Sequence, residues 1–471
     1  MSRRSLALLV LVTVLQGCTL GPEFKRPAPD LPQHWRNAEG EVDLHWWDSF
    51  NDPQLSALIA QARAGNLDLA IAASHVRQSQ ALRATVEAGR LPSVDASASY
   101  QRARNSQDGL MDISGYDGTR AYSVWNAGLA ISWEADLWGR VRRSVEAADA
   151  SVQAVQEQQH GVQLAIVALT ARDYIELRGS QSALQVTRDN LAIARHSLAL
   201  TQAQRAQGVA TDLQVAQAQA LSAAIEARLP ALEQRESVLI NALSLLIGQA
   251  PDTLKAQLGA AAPVPHGPAQ VPAGLPSELA ERRPDIREAE AQLHAATAAI
   301  GVAQADFYPR ITLGADVGLQ AMQLANLGNW ASRSFAAGPG VSLPVFEGGR
   351  LQGALRLSEG RQQEAAIVYR KTVLSAWHEV ADALSAYQAE QRRQASLGQA
   401  VAASQRALRS AQLQYAQGSV DFLNVLTVQA TLLDNQAAQV ASSAQVSLAL
   451  VDLYRSLGGG WQATAPARPG A

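Results

Sequence analysis

The sequence predicts a mostly α-helical chain with a transmembrane β-barrel, built as two internal repeats of helix, strand, strand, long helix and return helix. Three observations predict it. The chain matches itself at a nearly constant offset, each copy holds one very long proline-free stretch, and each holds two short segments of alternating apolar and polar residues. Residues 208–215 read GVATDLQV and residues 418–425 read GSVDFLNV. At the same offset, Gly139-Arg140 matches Gly349-Arg350, Ile131-Ser132 matches Val341-Ser342, and Ile247-Gly248 matches Leu457-Gly458. Further upstream Leu67-Asp68-Leu69 aligns with Pro284-Asp285-Ile286, and Leu91-Pro92 with Tyr308-Pro309. The first copy is therefore longer, and its extra residues fall near QDGLMDISGYDG, where glycine and aspartate mark an exposed turn.

Composition narrows the class. The 471 residues are 47% apolar and 17% charged, with formal charge −3 and one cysteine. The absence of a basic excess argues against a nucleic-acid partner, and a lone cysteine excludes a disulfide framework or a thiolate zinc cluster. No run of about 18 apolar residues occurs, so any membrane crossing must use strands.

At the N-terminus, Arg3 and Arg4 precede an apolar run from Leu6 to Leu15 that is too short to span a membrane and ends in Leu15-Gln16-Gly17-Cys18. This reads as a signal peptide over residues 1–17 with a lipobox, and Cys18 is the expected lipidation site. Thr19 stands where an aspartate would signal inner-membrane retention, which points to an outer-membrane address.

The first helix opens after Asp52-Pro53, a capping residue followed by proline in the first turn, and runs about 35 residues; its counterpart runs from about Leu275 to Asp306. Strands follow at about 93–103 and 121–133 in the first copy, and at about 310–320 and 333–343 in the second. On one side of these strands lie Tyr100, Trp125, Leu129, Trp133, Ile311, Leu313, Phe335 and Val341, the candidate lipid-facing set; Ser, Asp, Thr and Gly dominate the other side. Long helices are expected over 141–206 and 350–416, each roughly 100 Å at 1.5 Å per residue, too long for a compact domain. Val141, Val145, Ala148, Val152, Val155, Val162, Ile166 and Leu169 in the first, and Val373, Trp377, Val380, Leu384 and Tyr387 in the second, keep a coiled-coil period.

Gly208 and Gly418 sit where a left-handed cap ends each long helix. Thr211 with Gln214, and Asp421 with Asn424, then place a cap residue and its third neighbour at the start of each return helix. Pro230 should kink the first return helix. Each return helix runs about 36 residues and covers half the long helix, so the first helix of the copy can cover the rest by abutting it end to end. The domain plan is thus 1–17 signal peptide, 18–51 lipidated extension and belt, 52–248 first repeat with its tip at 208–212, 249–274 Ala/Pro-rich belt segment, 275–458 second repeat with its tip at 418–422, and 459–471 tail.

Four strands cannot close a barrel, since about eight is the smallest known. Two chains would supply eight and three would supply twelve. Twelve helices spaced about 10 Å apart form a ring with an inner diameter on the order of 25 Å, which is a duct.

The chain resembles the TolC-type outer membrane factor family, in its lipidated efflux branch (OprM- and NodT-like). The resemblance rests on the lipobox, LGPEFKRP, HWWDSFNDPQLSALI, NLDLAIA, RRPDI, FYPRITL, LPVFEGGR and GSVDFLNVLTVQATLL. It implies a homotrimer with a twelve-stranded β-barrel in outer membrane lipid, continuous with a twelve-helix α-barrel across the periplasm of a Gram-negative cell. It further implies docking to a periplasmic adaptor protein and an inner-membrane pump, with passive export of small molecules such as drugs. The tip residues Gly208, Val209, Ala210, Thr211, Gly418, Ser419, Val420 and Asp421 are then the expected adaptor-docking site. Family members often carry acidic rings a turn beyond; here Gln214, Gln217, Asn424 and Thr427 predict a polar, weakly charged periplasmic constriction.

Enzymatic chemistry is not expected. The eight histidines show no metal-ligand spacing, there is no GxSxG, HExxH or P-loop, and no cofactor or metal is implied. Trp46 and Trp47 read as belt packing rather than a ligand cage. The alternatives are a type I protein-secretion duct or heavy-metal efflux duct of the same fold, a stand-alone porin, and a coiled-coil adhesin, which would need no paired hairpins.

Overall fold

A computed structural model describes residues 19–27, 45–108, 118–268, 271 and 279–461. The expected signal peptide, Cys18, much of the 18–51 extension, part of the first-copy loop and belt segment, and the tail beyond Trp461 lie outside these residues. The chain divides into two compact units. One comprises Met1–Pro27, His75–Gln156 and Glu288–Tyr369; the other comprises Ala28–Ser74, Glu157–Arg287 and Arg370–Ala471.

A 3₁₀ turn at Trp46–Phe50 precedes α1 (Pro53–Gly65) and α2 (Leu67–Glu87), followed by β1 (Ser93–Ala103), β2 (Tyr122–Glu134), α3 (Arg140–Ala206), α4 (Asp212–Glu226) and α5 (Leu229–Leu246). The second copy supplies α6 (Pro284–Ala305), β3 (Arg310–Ala321), β4 (Arg333–Ser342), α7 (Arg350–Ala416) and α8 (Phe422–Ser456). Both long helices have 67 residues. Among the described residues no helix is long and apolar enough to cross a membrane.

The single first helix expected after Asp52 is in fact two. Asn66 interrupts it: its side-chain carbonyl accepts from Asp68 N at 2.9 Å and Leu69 N at 3.1 Å, capping α2, while its amide donates to Leu246 O at 2.9 Å. An asparagine bonded on both sides stabilises a break that helix periodicity alone does not reveal. In the second copy the break falls at Arg283, ahead of Pro284, after a one-turn helix at Leu279–Arg282. The buried Arg283 binds Ser456 O at 3.0 Å, Asp285 at 2.7 Å and Glu379 at 2.9 Å. In both copies the break therefore abuts the end of the return helix, as the helix lengths require. Pro230 likewise does more than kink: α4 ends at Glu226 and α5 restarts at Leu229, with the proline in its first turn. Opposite it, α8 runs unbroken for 35 residues.

In the first unit the four strands form one antiparallel sheet of order β1-β2-β3-β4. The LGPEFKRP segment lies beside it, where Leu20 N donates to Trp138 O at 3.2 Å, Arg143 Nε to Leu20 O at 3.0 Å, and Arg26 pairs with Glu290 at 3.0 Å. Phe24 stacks on His294 with centroids 4.4 Å apart. Gly21, at φ +94°, passes so close to Gly301 that a Cβ would lie 2.4 Å from its Cα, so the motif needs glycine at both positions.

In the second unit the middle of α3 is buried on nearly every side rather than along one seam. Ile166, Val167, Ala168, Thr170, Ala171, Tyr174, Ile175, Leu177 and Arg178 are all buried, while Leu169, expected on the seam, is 43% exposed. The 46–50 turn, the 260–268 segment and the end of α8 account for this. Trp46 is 1% exposed, stacks on Tyr454 and donates to Gly459 O at 3.2 Å, a packing role. Arg178 reaches Ala260 O at 2.9 Å and Gln54. Ser447 Oγ donates to Pro265 O at 2.6 Å, and Tyr387 OH to Pro268 O at 2.5 Å.

Candidate functional site

Two features bear on function: the faces of the sheet and the pair of helix-turn tips. Antiparallel partners share a face, and the register runs Tyr100↔Trp125↔Ala321, Ala96↔Leu129↔Val317↔Phe335 and Trp133↔Leu313↔Pro339, with Ile311↔Val341 below. All eight residues of the candidate lipid-facing set thus lie on one face, although they come from four strands and both repeats. Phe335 is 86% exposed and Val341 69%. The opposite face carries Asp95↔Ala130↔Asp316↔Ala336 and Ser97↔Gly128↔Gly318↔Ser334, small or polar throughout. An apolar face and a polar face, with neither covered by this unit, suit a wall between lipid and water. β1 and β4 are edges with unpaired backbone groups.

At the helix side of the sheet a cleft of about 270 Å³ gathers Glu134, Asp306, Arg310, Glu347 and Arg350. Glu134 takes a bidentate pair from Arg140 at 2.8 and 2.6 Å. Asp136 accepts from the backbone N–H groups of Val141 and Arg142 and so caps the long helix.

The tips are built as the glycines dictate. Gly208 and Gly418 have φ +77° and +72°, in the left-handed region. In the first tip the capping box is complete: Gln214 N donates to Thr211 Oγ1 at 3.3 Å and Thr211 N to Gln214 Oε1 at 2.9 Å. In the second it is not. Asp421 caps Leu423 N, Asn424 N donates to Asp421 O rather than to its side chain, and the Asp421 carboxylate also faces the other hairpin. There Gln214 Nε2 reaches Asp421 Oδ1 at 3.3 Å, and Tyr415 OH donates to Gln204 Oε1 at 3.0 Å. These contacts join the two hairpins.

Several expected tip and constriction residues are placed differently from one another. Val209 is 72% exposed but Ala210 is buried, so Ala210 presents no side chain to a partner. Gln214 is held by its cap and by Asp421, and Gln217 is half-buried. Asn424 and Thr427 are exposed, on the side of α8 opposite the buried Phe422, Val425, Leu426 and Gln429. Sequence reasoning missed two features. Leu213 and Leu413 are each 66% exposed near the tips. Arg205 and Asp212 form a bidentate pair at 2.6 and 3.0 Å, whose hydrogen bond and charge hold the Asp212 carboxyl below the usual carboxylate range. A basic last turn facing an acidic first turn across a glycine hinge is the signal that could have found it.

Comparison with known proteins adds a second line of observation. The profile of the outer membrane efflux protein family matches residues 58–249 and 275–459. The chain is 34% identical to the outer membrane protein OprJ of Pseudomonas aeruginosa, over 97% of this chain and 95% of that protein. It is 33% identical to the toluene efflux pump outer membrane protein TtgI of Pseudomonas putida, over 98% and 99%. Among solved structures, the outer-membrane channel OprN superposes with a TM-score of 0.87 at 33% identity, covering 94% of this chain and all of that one.

Proposed function

The chain belongs to the outer membrane efflux protein family, and from that premise we propose that it is the trimeric, lipid-anchored exit duct of a tripartite pump, conducting small molecules such as drugs and solvents to the outside. The observation that carries the reading is the two-faced, open-edged sheet. Four strands with two free edges are completed when β4 of one protomer pairs with β1 of the next. Three copies supply twelve strands, enough to leave an aqueous channel rather than a filled interior. The eight residues of the apolar face then meet lipid, and the Asp95–Asp316 face meets the lumen. Cys18 carries the lipid anchor at the head of the mature chain.

The tips are the proposed adaptor-docking site, with Val209, Ser419 and the neighbouring Leu213 and Leu413 as the contact surface. Glycine, small and apolar residues at a tight turn let another helical hairpin approach closely, and exposed leucines contribute area to bury. The constriction is lined by Asn424 and Thr427. Gln214 and Asp421 tie one hairpin to the other. No residue of the constriction is a catalyst; transport is passive, driven by the partner pump. The toluene efflux role that the name of TtgI records favours small-molecule export over protein secretion.

The test is crosslinking in whole cells from a cysteine introduced at Ser419, with the captured partner identified by mass spectrometry. Capture of a periplasmic adaptor is expected. Capture of its own subunits alone would retain the trimer and overturn the docking assignment in favour of an independent channel.

A further inference from the structure

The apolar face of the sheet carries charge at only two strand positions, and both lie at the hairpin end. Arg102 pairs with Ser123, one same-face position beyond the Tyr100–Trp125 pair, whose rings stand 4.4 Å apart. Arg333 pairs with Leu319, one same-face position beyond the Val317–Phe335 pair. Every other strand residue on this face, from Val94 to Val341, is uncharged, whereas Asp95, Glu134, Arg310 and Asp316 all fall on the opposite face. Trp125 and Trp133 bound the apolar stretch of β2. Eight residues at about 3.4 Å each, tilted by about 40°, give an apolar band roughly 20 Å tall. Arg102 sits just past its hairpin edge, and Arg333 opens β4 at the same end, where the strand tilt carries it toward headgroup depth, at which a cation is tolerated and an anion is at hand.

Both arginines are exposed, and neither has a carboxylate partner among the described residues. Arg333 is pre-positioned: its Nε donates to Trp330 O at 2.8 Å and its guanidinium lies over the ring of Trp330, itself 80% exposed. Arg102 neighbours the phenol of Tyr100. Arg102 is the penultimate residue of β1 and Arg333 the first of β4, so they occupy the two opposite edges of the sheet at the same end. Closing the barrel brings those edges together. Two guanidinium groups then lie on neighbouring strands at the hairpin end, on the lipid-facing side, with no acid among the strand residues of that face. That juxtaposition repels itself unless an anion bridges it, and a phosphate monoester, with several oxygens for bidentate Arg contacts, fits both.

We propose that Arg102 of one protomer and Arg333 of the next form a binding site for a phosphorylated glycolipid headgroup, the glucosamine phosphate of lipid A in the outer leaflet, with Trp330, Tyr100 and Trp125 packing beside the sugar and upper acyl chains. The site rests on the trimeric closure proposed above and gives one headgroup site per seam.

Native mass spectrometry of the full-length protein in detergent tests both levels. The probes are bisphosphorylated lipid A and its dephosphorylated form, added to wild type and to the R102Q/R333Q variant. Wild-type trimers are expected to bind up to three lipid A molecules, and to bind about tenfold less when the phosphates are removed from the lipid or the arginines from the protein. Equal retention of both lipid forms by a wild-type trimer would overturn the site while leaving the trimer intact. A wild-type mass other than a trimer would overturn closure, and the seam with it. Should R102Q/R333Q fail to assemble, the wild-type comparison of the two lipids decides alone.

Discussion

Leu129 and Ala130 are neighbours in β2 that the register sends to opposite faces, so the same substitution at each should have opposite consequences. Leu129 lies four residues from Trp125 and four from Trp133, at the middle of the apolar band, in the row Ala96↔Leu129↔Val317↔Phe335. With the apolar face against lipid as proposed, Leu129→Lys places an ammonium group at mid-bilayer depth, which costs about 2–4 kcal/mol on the lipid face of a barrel. A cost near 3 kcal/mol is roughly a hundredfold in the folding equilibrium. Ala130 faces the other way, flanked by Asp95 and Asp316 as direct cross-strand partners. Ala130→Lys therefore places its charge on the wet face between two carboxylates, where opposite-charge pairs contribute a few tenths of a kcal/mol each, and should change stability by about 0.5 kcal/mol or less. Urea unfolding in phospholipid vesicles, read by tryptophan fluorescence and by electrophoretic mobility without heating, measures both. Equal destabilisation by the two variants, or a larger loss from Ala130→Lys, would refute the assignment of faces.

Three further outcomes follow from individual contacts. Burial, then Glu176, push the Asp173 carboxyl up to about 6 against the pull of Arg172 and Arg235; the folded state therefore holds this proton more tightly than the unfolded chain, and stability falls as pH rises from about 4 to 6. Asp173→Asn should stabilise the protein by about 1–2 kcal/mol at pH 7.5 after allowance for partial exposure, with no gain at pH 4, as seen in melting curves at the two pH values. Asn66→Ala removes the cap of α2 and the buried bond to Leu246 O, and is expected to cost about 2–3 kcal/mol, with faster amide exchange at Asp68 and Leu69. Gly21→Ala drives a methyl into Gly301 and demands a left-handed alanine, so the 19–27 segment should lift from α6 at a cost of about 1–3 kcal/mol, measurable as faster tryptic cleavage after Lys25.

The parts of the molecule legible in advance are those governed by local periodicity. Alternation in β2 sets Trp125, Leu129 and Trp133 apart from Asn126, Ala130 and Ser132 within one strand, and the repeat offset carries the same logic to β3 and β4. Gly208 and Gly418 announce their left-handed turns because no other residue adopts that geometry as cheaply. Less legible is the candidate docking site. Ala210 and Val209 are adjacent, small and apolar, yet one is buried and the other exposed. The difference is set by how the turn packs, which no spacing rule records. Gln214 was legible as the partner of Thr211 in the cap, but not its reach to Asp421 of the other repeat, which stands within hydrogen-bond distance only once the two hairpins pack.

By itself, then, the sequence determined the two repeats, the lengths of the two long helices, the two-faced strands and the family, since each of these depends on neighbours a few residues apart or on a recurring pattern. Tertiary structure alone decided what wraps the middle of α3, where the first helix breaks, and which tip side chains remain available. Trp46 finds Gly459, Arg178 finds Ala260, Asn66 finds Leu246, and Gly21 finds Gly301 across gaps of eighty to more than four hundred residues. A buried hydrogen bond or a close backbone approach is specified by the meeting of two distant segments, and neither segment carries a local signal of the other.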